Sequence, residues 1–339
     1  MKIAVFAYSR RGCETARRVA ALFPEDKVTL WAPLRLDQPD FAPITQPTAP
    51  LYGELFLLSD AMIFVGAAGI AVRAVAPHLV SKTSDPAVLC LDEAANFVIS
   101  LLSGHIGGAN ALCRTVAEAL GAQPVITTAT DVRGRFSVDT WAKERGYLLD
   151  DMDLAKAVSA AVLEGPVPFV SDLPVKGDLP AGLVSSDSGR LGIYLGWRTS
   201  GPFERTLRVI PRVLRLGIGC RRGIPKDAVA AAVGAVLEEN GIDPRAISRA
   251  ASIDLKSREA GLLEWCAEAG LPMDFYDAET LSRVEGDFTP SDFVRQVTGV
   301  DNVCERAALL GAARLLVKKT ARDGVTVALA AELPEVRFG

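Results

Sequence analysis

The chain holds little of what metal and redox sites are built from. His78 and His105 are its two histidines in 339 residues, too few for a histidine-rich metal site. Six cysteines, at positions 13, 90, 113, 220, 266 and 304, lie far apart and form no C-x-x-C pair. That spacing fits free thiols in a reducing cytoplasm and excludes a four-cysteine zinc site. No apolar run approaches the ~18 residues a membrane span needs. The opening residues, MKIAVFAYSRRG, put a strand before the charges, the reverse of a signal peptide. A cytoplasmic chain with no membrane partner is therefore expected. Basic residues are not in excess: 37 Lys and Arg face 41 Asp and Glu, for a net charge of −4. Nucleic acid is accordingly not expected as a partner. The sequence lacks G-x-x-x-x-G-K-[ST] and any G-x-G-x-x-G that opens a helix after a strand, which weakens a nucleotide-binding reading.

What the chain does have is alternation. MKIAVFAY, KVTLWAP, AMIFVGA and PVITTAT read as strands; CETARRVAALF, LYGELFLLSD and AGIAVRAVAPHL read as helices. Residues 33–50 are Pro-rich and read as a loop. VLCLDE and NFVISLL predict a hairpin through Ala94 and Ala95, with Asn96 suited to the left-handed conformation of its turn. The fold expected is α/β: two α/β lobes with mostly parallel sheets joined by a small middle domain. The boundaries fall at 1–132, 133–208 and 209–339. The middle segment predicts helices in SVDTWAKERGY and DLAKAVSAAVLEG, and Asp150, Asp151 and Asp153 read as a helix cap rather than a cation site. In the last lobe, VLRLGIGC predicts a strand, Pro225 opens a helix striped by Val229, Val233, Val236 and Leu237, and Asp323–Gly324 turns a closing hairpin.

The densest chemistry lies in residues 97–110, FVISLLSGHIGGAN. A β-branched run ends in a small-residue loop, and Ala109, Leu112, Cys113, Val116, Ala117 and Leu120 then mark one face of a helix. Gly104, Gly107 and Gly108 leave backbone N–H groups uncovered at the helix's positive end, a seat for an anion. His105 is placed there as a proton carrier. In an open α/β sheet ligands settle at the carboxyl ends of strands, and four loops read as such ends: 66–69, 103–108, 127–131 and 217–223. TTATD serves equally as a hydroxyl-rich site or as a cap for the helix after it. Arg73 and Lys82 flank the segment carrying His78, which reads as a helix-end residue. Cys220 sits beside Arg221 and Arg222 ahead of a helix, a setting that lowers a thiol pKa, yet its lobe holds no histidine and the structural reading is preferred. Glu305 and Arg306 read either as a pair or as a helix cap.

In their order and separation, five segments resemble the cobalt-precorrin 5A hydrolase family of the anaerobic cobalamin pathway. They are FVGAAGIAVRAVAPHLVSKTSDPAVL (64–89), LDEAANFVISLLSGHIGGAN (91–110), GAQPVITTATD (121–131), LGIGCRRG (216–223) and GVDNVCERAALLGA (299–312). The likeness covers most of 51–131 and 212–335. Two positions depart from it: EAAN stands where the family more often has a glycine, and Ile224 precedes Pro225 where many members carry a hydroxyl. The resemblance implies hydrolytic opening of a δ-lactone on a cobalt corrinoid, with loss of acetaldehyde to give cobalt-precorrin 5B. Cobalt is then part of the substrate, and no metal or other cofactor held by the protein is expected. His105 is the expected base, with Ser103 and the Gly107 and Gly108 amides around the oxyanion. Gly66, Gly69, Arg73, Gly104, Asn110, Thr128, Asp131, Gly219, Arg221 and Arg222 are the expected substrate contacts, and a cleft between lobes is the natural seat for the macrocycle. Neighbouring pathway methyltransferases and a second copy of the chain are the candidate protein partners. The alternative is a noncatalytic corrinoid carrier, which needs the arginines but not His105.

Overall fold

A computed structural model describes residues 1–81, 84–105 and 107–338. The chain divides into two compact units, Met1–Lys143 and Glu144–Gly339. The first is built as β1 (Lys2–Ala7), α1 (Arg10–Ala20), β2 (Lys27–Pro33), β3 (Ala42–Ile44), α2 (Ala49–Leu58), β4 (Ala61–Val65), α3 (Ala68–Val75), β5 (Ala87–Leu91), β6 (Phe97–Leu102), α4 (Ala109–Leu120), β7 (Gln123–Val125), α5 (Ala129–Val132) and α6 (Val138–Glu144). Its seven-stranded sheet runs β3-β2-β1-β4-β5-β6-β7. Neighbours from β3 to β5 are parallel, β5 and β6 are antiparallel, and β6 and β7 are parallel again. The α/β fold with mostly parallel sheets is as expected. The Pro-rich stretch expected as a loop instead contains β3 on the sheet edge, and PVITTAT yields only the short, half-buried β7.

Both sheet faces are covered, which explains the unbroken apolar runs of β1 and β4. Val5, Ile63, Leu89 and Val98 pack against Cys13, Val19, Leu112 and Val116 of α1 and α4. Their alternates Phe6, Met62, Phe64 and Val88 pack on the other face against Tyr52, Phe56 and Val75. Phe6 and Phe64 stack with ring centroids 4.8 Å apart.

The second unit carries β8 (Leu148–Leu149), α7 (Met152–Glu164), β9 (Val167–Ser171), β10 (Leu183–Ser185), β11 (Leu191–Leu195) and β12 (Arg205–Ile210), in a sheet ordered β10-β9-β11-β12-β8. It continues with β13 (Leu214–Cys220), α8 (Lys226–Glu239), β14 (Ile247–Ile253), α9 (Ala260–Glu268), β15 (Met273–Tyr276), α10 (Ala278–Ser282), α11 (Asp292–Thr298), α12 (Cys304–Leu309), β16 (Arg314–Arg322) and β17 (Val325–Ala331). These strands form a sheet ordered β15-β14-β13-β17-β16. The middle segment is thus a parallel sheet in its own right, closed by the antiparallel β8. Asp151 caps α7 by accepting from Asp153 N (2.8 Å) and Leu154 N (2.9 Å). The closing hairpin turns at Asp323 and Gly324, both at positive φ, as a two-residue turn requires. No helix of the described residues is long and apolar enough to cross a membrane.

Asp243 ties the two sheets of this unit together. Buried at 3% exposure, it accepts from Arg208 Nη1 and Arg245 Nη2, each at 2.8 Å. Burial alone raises a carboxyl pKa, but the Arg245 and Arg208 contacts outweigh it and pull this one down to about 2. A depressed carboxyl stabilises the fold above its unfolded pKa and loses that contribution as pH falls through the folded value. Asp243→Asn is therefore expected to cost about 2 kcal/mol near pH 7, a gap that closes between roughly pH 4 and pH 2. Denaturant melts of both proteins across that range measure it.

Candidate functional site

Because β6 and β7 run against β1–β5, the loops that follow them meet at one edge of the first unit's sheet. Leu102 pairs with Val88 at the start of β5, and Val98 with Leu91 at its end. The loop 66–69 follows β4 and lies at the opposite edge, a strand length or ~20 Å away. It therefore does not meet the loops that follow β6 and β7. There Gly66 is bound to β5, donating to Leu91 O at 2.8 Å and accepting from Cys90 Sγ at 3.3 Å. Exposed Arg73 donates to Gly69 O at 3.2 Å. Lys82 and Ile106 lie outside the described residues.

His105 stands at the β6 edge with 24% of its side chain exposed. Nε2 lies 3.0 Å from Thr130 Oγ1 and 3.3 Å from Asp131 Oδ2. The carboxylate acceptor assigns the hydrogen to Nε2 and the lone pair to Nδ1. Asp131 in turn accepts from Asn110 Nδ2 at 3.0 Å, from the Thr128 hydroxyl and from the Arg114 guanidinium. Burial raises its pKa, but Thr128, Arg114 and His105 prevail and hold the carboxyl below its usual range. Asn110, only 4% exposed, also donates to Thr128 Oγ1 at 2.9 Å and accepts from Ser100 Oγ at 2.7 Å. Asn110, Thr128 and Asp131, expected as substrate contacts, hydrogen-bond one another, and Asp131 also reaches the imidazole. On the Nδ1 side stands Asp139 Oδ2, 3.6 Å away. Thr130 belongs to the hydroxyl-rich TTATD segment, whereas Arg114 and Asp139 are members the sequence reading missed. Asp139 sits in SVDT, whose first-turn acid reads as helix capping.

The loop is built differently from the open anion seat expected. Gly108 N–H donates to His105 O at 2.9 Å, Ala109 N–H to Ser103 O at 3.1 Å and Asn110 N–H to Gly104 O at 3.0 Å. Ser103, at φ 58°, gives its hydroxyl to Asp85 O at 3.0 Å, which anchors the loop. Gly104 leaves room for the Asn110 amide, which a Cβ would approach to 2.8 Å. The turn at the hairpin is also shifted by one residue. Ala95, at φ 56°, takes the left-handed position, while Asn96 N–H and side chain both bond Asp92.

In the second unit, Gly219 O accepts from the Thr326 hydroxyl at 3.2 Å, and a Cβ at Gly219 would come within 2.5 Å of that oxygen. Arg221 and Arg222 are exposed and form no ion pair among the described residues. Burial pushes the Cys220 thiol up, against the smaller lowering by Lys256, which agrees with a structural cysteine. Glu305 and Arg306 do not pair. Glu305 is fully buried, accepting from Thr289 N–H (2.7 Å), Asn302 Nδ2 (2.8 Å) and Lys319 N–H (2.6 Å). Arg306 binds Asp301 at 3.0 Å.

The fold and this edge define an α/β protein with a histidine held between two aspartates. Comparison with known proteins places it further. Residues 51–131 match the family described as "Cobalamin synthesis G N-terminal" and residues 214–330 that described as "Cobalamin synthesis G C-terminus". The chain belongs to this cobalamin synthesis G family. It is 35% identical to the cobalt-precorrin-5A hydrolase of Salmonella typhimurium (strain LT2), covering 96% of this chain and 97% of that one. It is 30% identical to the protein of the same name from Priestia megaterium, covering 96% and 94%. A solved cobalamin biosynthesis protein G homolog from Sulfolobus solfataricus aligns over 97% of both chains at 21% identity, with a TM-score of 0.43.

The tightest point of the loop is Gly107. A Cβ there would stand 2.1 Å from Ser103 Cβ and 2.7 Å from Ser103 O. Gly107→Ala is expected to cost ~1–3 kcal/mol and to displace His105. Gly234→Ala in α8, where a Cβ meets nothing within 4 Å, should instead stabilise by ~0.5–1 kcal/mol. Thermal melts of the two variants, run side by side, check the contrast.

Proposed function

We propose that the chain is a cobalt-precorrin-5A hydrolase acting in cobalamin biosynthesis. It is an enzyme that opens the δ-lactone of a cobalt corrinoid and then releases two carbons as acetaldehyde by carbon–carbon cleavage. Full-length likeness to relatives of that name supports the substrate class. The observation that carries the chemistry is the His105 ring, partly exposed, with Nε2 3.3 Å from Asp131 Oδ2; with the hydrogen on that nitrogen, Nδ1 is left to accept a proton.

In this reading Nδ1 removes a proton from water as the water oxygen attacks the lactone carbonyl. The tetrahedral oxyanion needs a donor. Gly108 N–H and the Ser103 hydroxyl are already engaged, so of the donors expected there the Gly107 amide is the one offered to it. Collapse breaks the acyl–oxygen bond and leaves a carboxylate and a secondary alkoxide. The alkoxide becomes the carbonyl of acetaldehyde as its bond to the ring carbon breaks, and that electron pair passes to the cobalt-bound macrocycle. Arg221 and Arg222 supply exposed guanidinium groups suited to the carboxylates of such a substrate.

Anaerobic incubation with cobalt-precorrin 5A, with acetaldehyde assayed, tests the reading. His105→Ala is expected to slow the chemical step by ~10²–10⁴ and leave affinity within a few-fold. Wild type that binds the corrinoid and releases no acetaldehyde would establish a carrier instead. Arg221→Ala and Arg222→Ala should each weaken corrinoid binding about ten- to a hundredfold, or ~1.5–3 kcal/mol. Unchanged affinity in both variants would remove these residues from the substrate site.

A further inference from the structure

We infer that Asp139 is a positioning residue for His105, the carboxylate that receives the Nδ1–H bond once the imidazole has taken a proton. The inference rests on the reading of His105 as base. Asp139 lies in the first turn of α6, 34 residues from the histidine it faces. Its two oxygens have different surroundings. Oδ1 accepts from the Ser137 hydroxyl and from Thr140 N–H, the latter at 2.9 Å, which fixes the carboxylate. Oδ2 points at Nδ1 from 3.6 Å, just beyond hydrogen-bond length, and Asp139 has only 14% of its side chain exposed.

Nε2 is already donating toward Asp131, so a proton taken from water arrives on Nδ1. With a lone pair on Nδ1, the gap to Oδ2 holds two acceptors and stays open. With a proton there it becomes a charge-assisted hydrogen bond after a movement of a few tenths of an ångström. The cation formed during catalysis then meets a carboxylate at each nitrogen. The other charged groups around the ring are Arg114, bound to Asp131, and Lys143, whose Nζ lies 3.8 Å from where a Gly108 Cβ would stand. Neither supplies an acceptor to Nδ1.

With only two histidines, the test has a clean readout. Ring-¹⁵N-histidine protein, assigned with His78→Gln, is examined by proton NMR at acid pH. The expected signature is a downfield Nδ1–H resonance of His105, protected from exchange in wild type and in Asp139→Glu. It should be lost in Asp139→Asn and in Asp139→Ser, the second uncharged variant should the first fail to fold. In turnover, both uncharged variants should lose about ten- to a hundredfold in kcat with KM within a few-fold. Absence of the resonance from wild type, its persistence in Asp139→Asn, or wild-type kcat in folded Asp139→Asn overturns the inference. Full turnover by His105→Ala overturns the base reading instead, and the resonance comparison separates the two failures.

Discussion

The whole candidate site depends on one reversal of chain direction between β5 and β6. Asp92 makes it possible: its carboxylate accepts from the backbone N–H groups of Ala94, Asn96 and Phe97 at 2.9, 2.8 and 2.7 Å. That network holds Ala95 in the left-handed region, which a residue with a Cβ avoids on its own. Had β6 joined the sheet in parallel, the loop after it would have fallen beside the loops after β1 and β4, the crevice where doubly wound sheets commonly bind ligands. Running β6 and β7 the other way carries residues 103–108 and Thr128–Asp131 to the far edge. There they meet each other, Asp85 and the first turn of α6.

At that edge the imidazole is oriented by groups that are themselves immobilised. Asn110 is buried at the start of α4 and links Ser100 on β6 to Thr128 and Asp131. Asp131 is therefore fixed by elements on both sides of the ring it holds. A carboxylate so engaged is suited to orienting a neighbouring imidazole. The glycines of the loop serve the same end. Gly104 admits the Asn110 amide and Gly107 admits the returning chain at Ser103.

Much of this was legible in local sequence pattern. Strand and helix periodicity, the 93–96 turn, the Asp323–Gly324 hairpin and the α4 face all follow from residues within about ten positions of each other. What was not legible depends on contacts across the chain. The hairpin between β5 and β6 already reverses β6, but nothing in the period says that β7 pairs parallel to β6 and so brings Thr128–Asp131 to the same edge. Asp139 reaches His105 over a span with no repeating signal, and its first-turn position is where any helix favours an acid. Glu305 shows the same limit in the second unit. Its four-residue vicinity suggests a partner in Arg306, whereas folding brings it Thr289 and Lys319 amides from other elements. Gly217 is a further case, since the α12 backbone crosses it so closely that a Cβ would stand 1.8 Å from Cys304 O.

The nucleophile can be argued by the same comparison of surroundings. Burial pushes up all six thiols, three of them, Cys90, Cys266 and Cys304, to about 11. A thiol so placed holds its proton at neutral pH, and the thiolate is the reactive form. Cys220, the most exposed of the six, has Glu259 close enough to oppose the help of Lys256. His78 is no alternative base either: its ring packs against Gly53 and Phe56, and Nε2 is buried without a partner among the described residues. That leaves one imidazole with solvent on one side and fixed carboxylates on the others. In the proposed reading such a group is suited to activating water rather than to forming a covalent bond itself, since a lactone opened by water needs nothing more nucleophilic than hydroxide made in place.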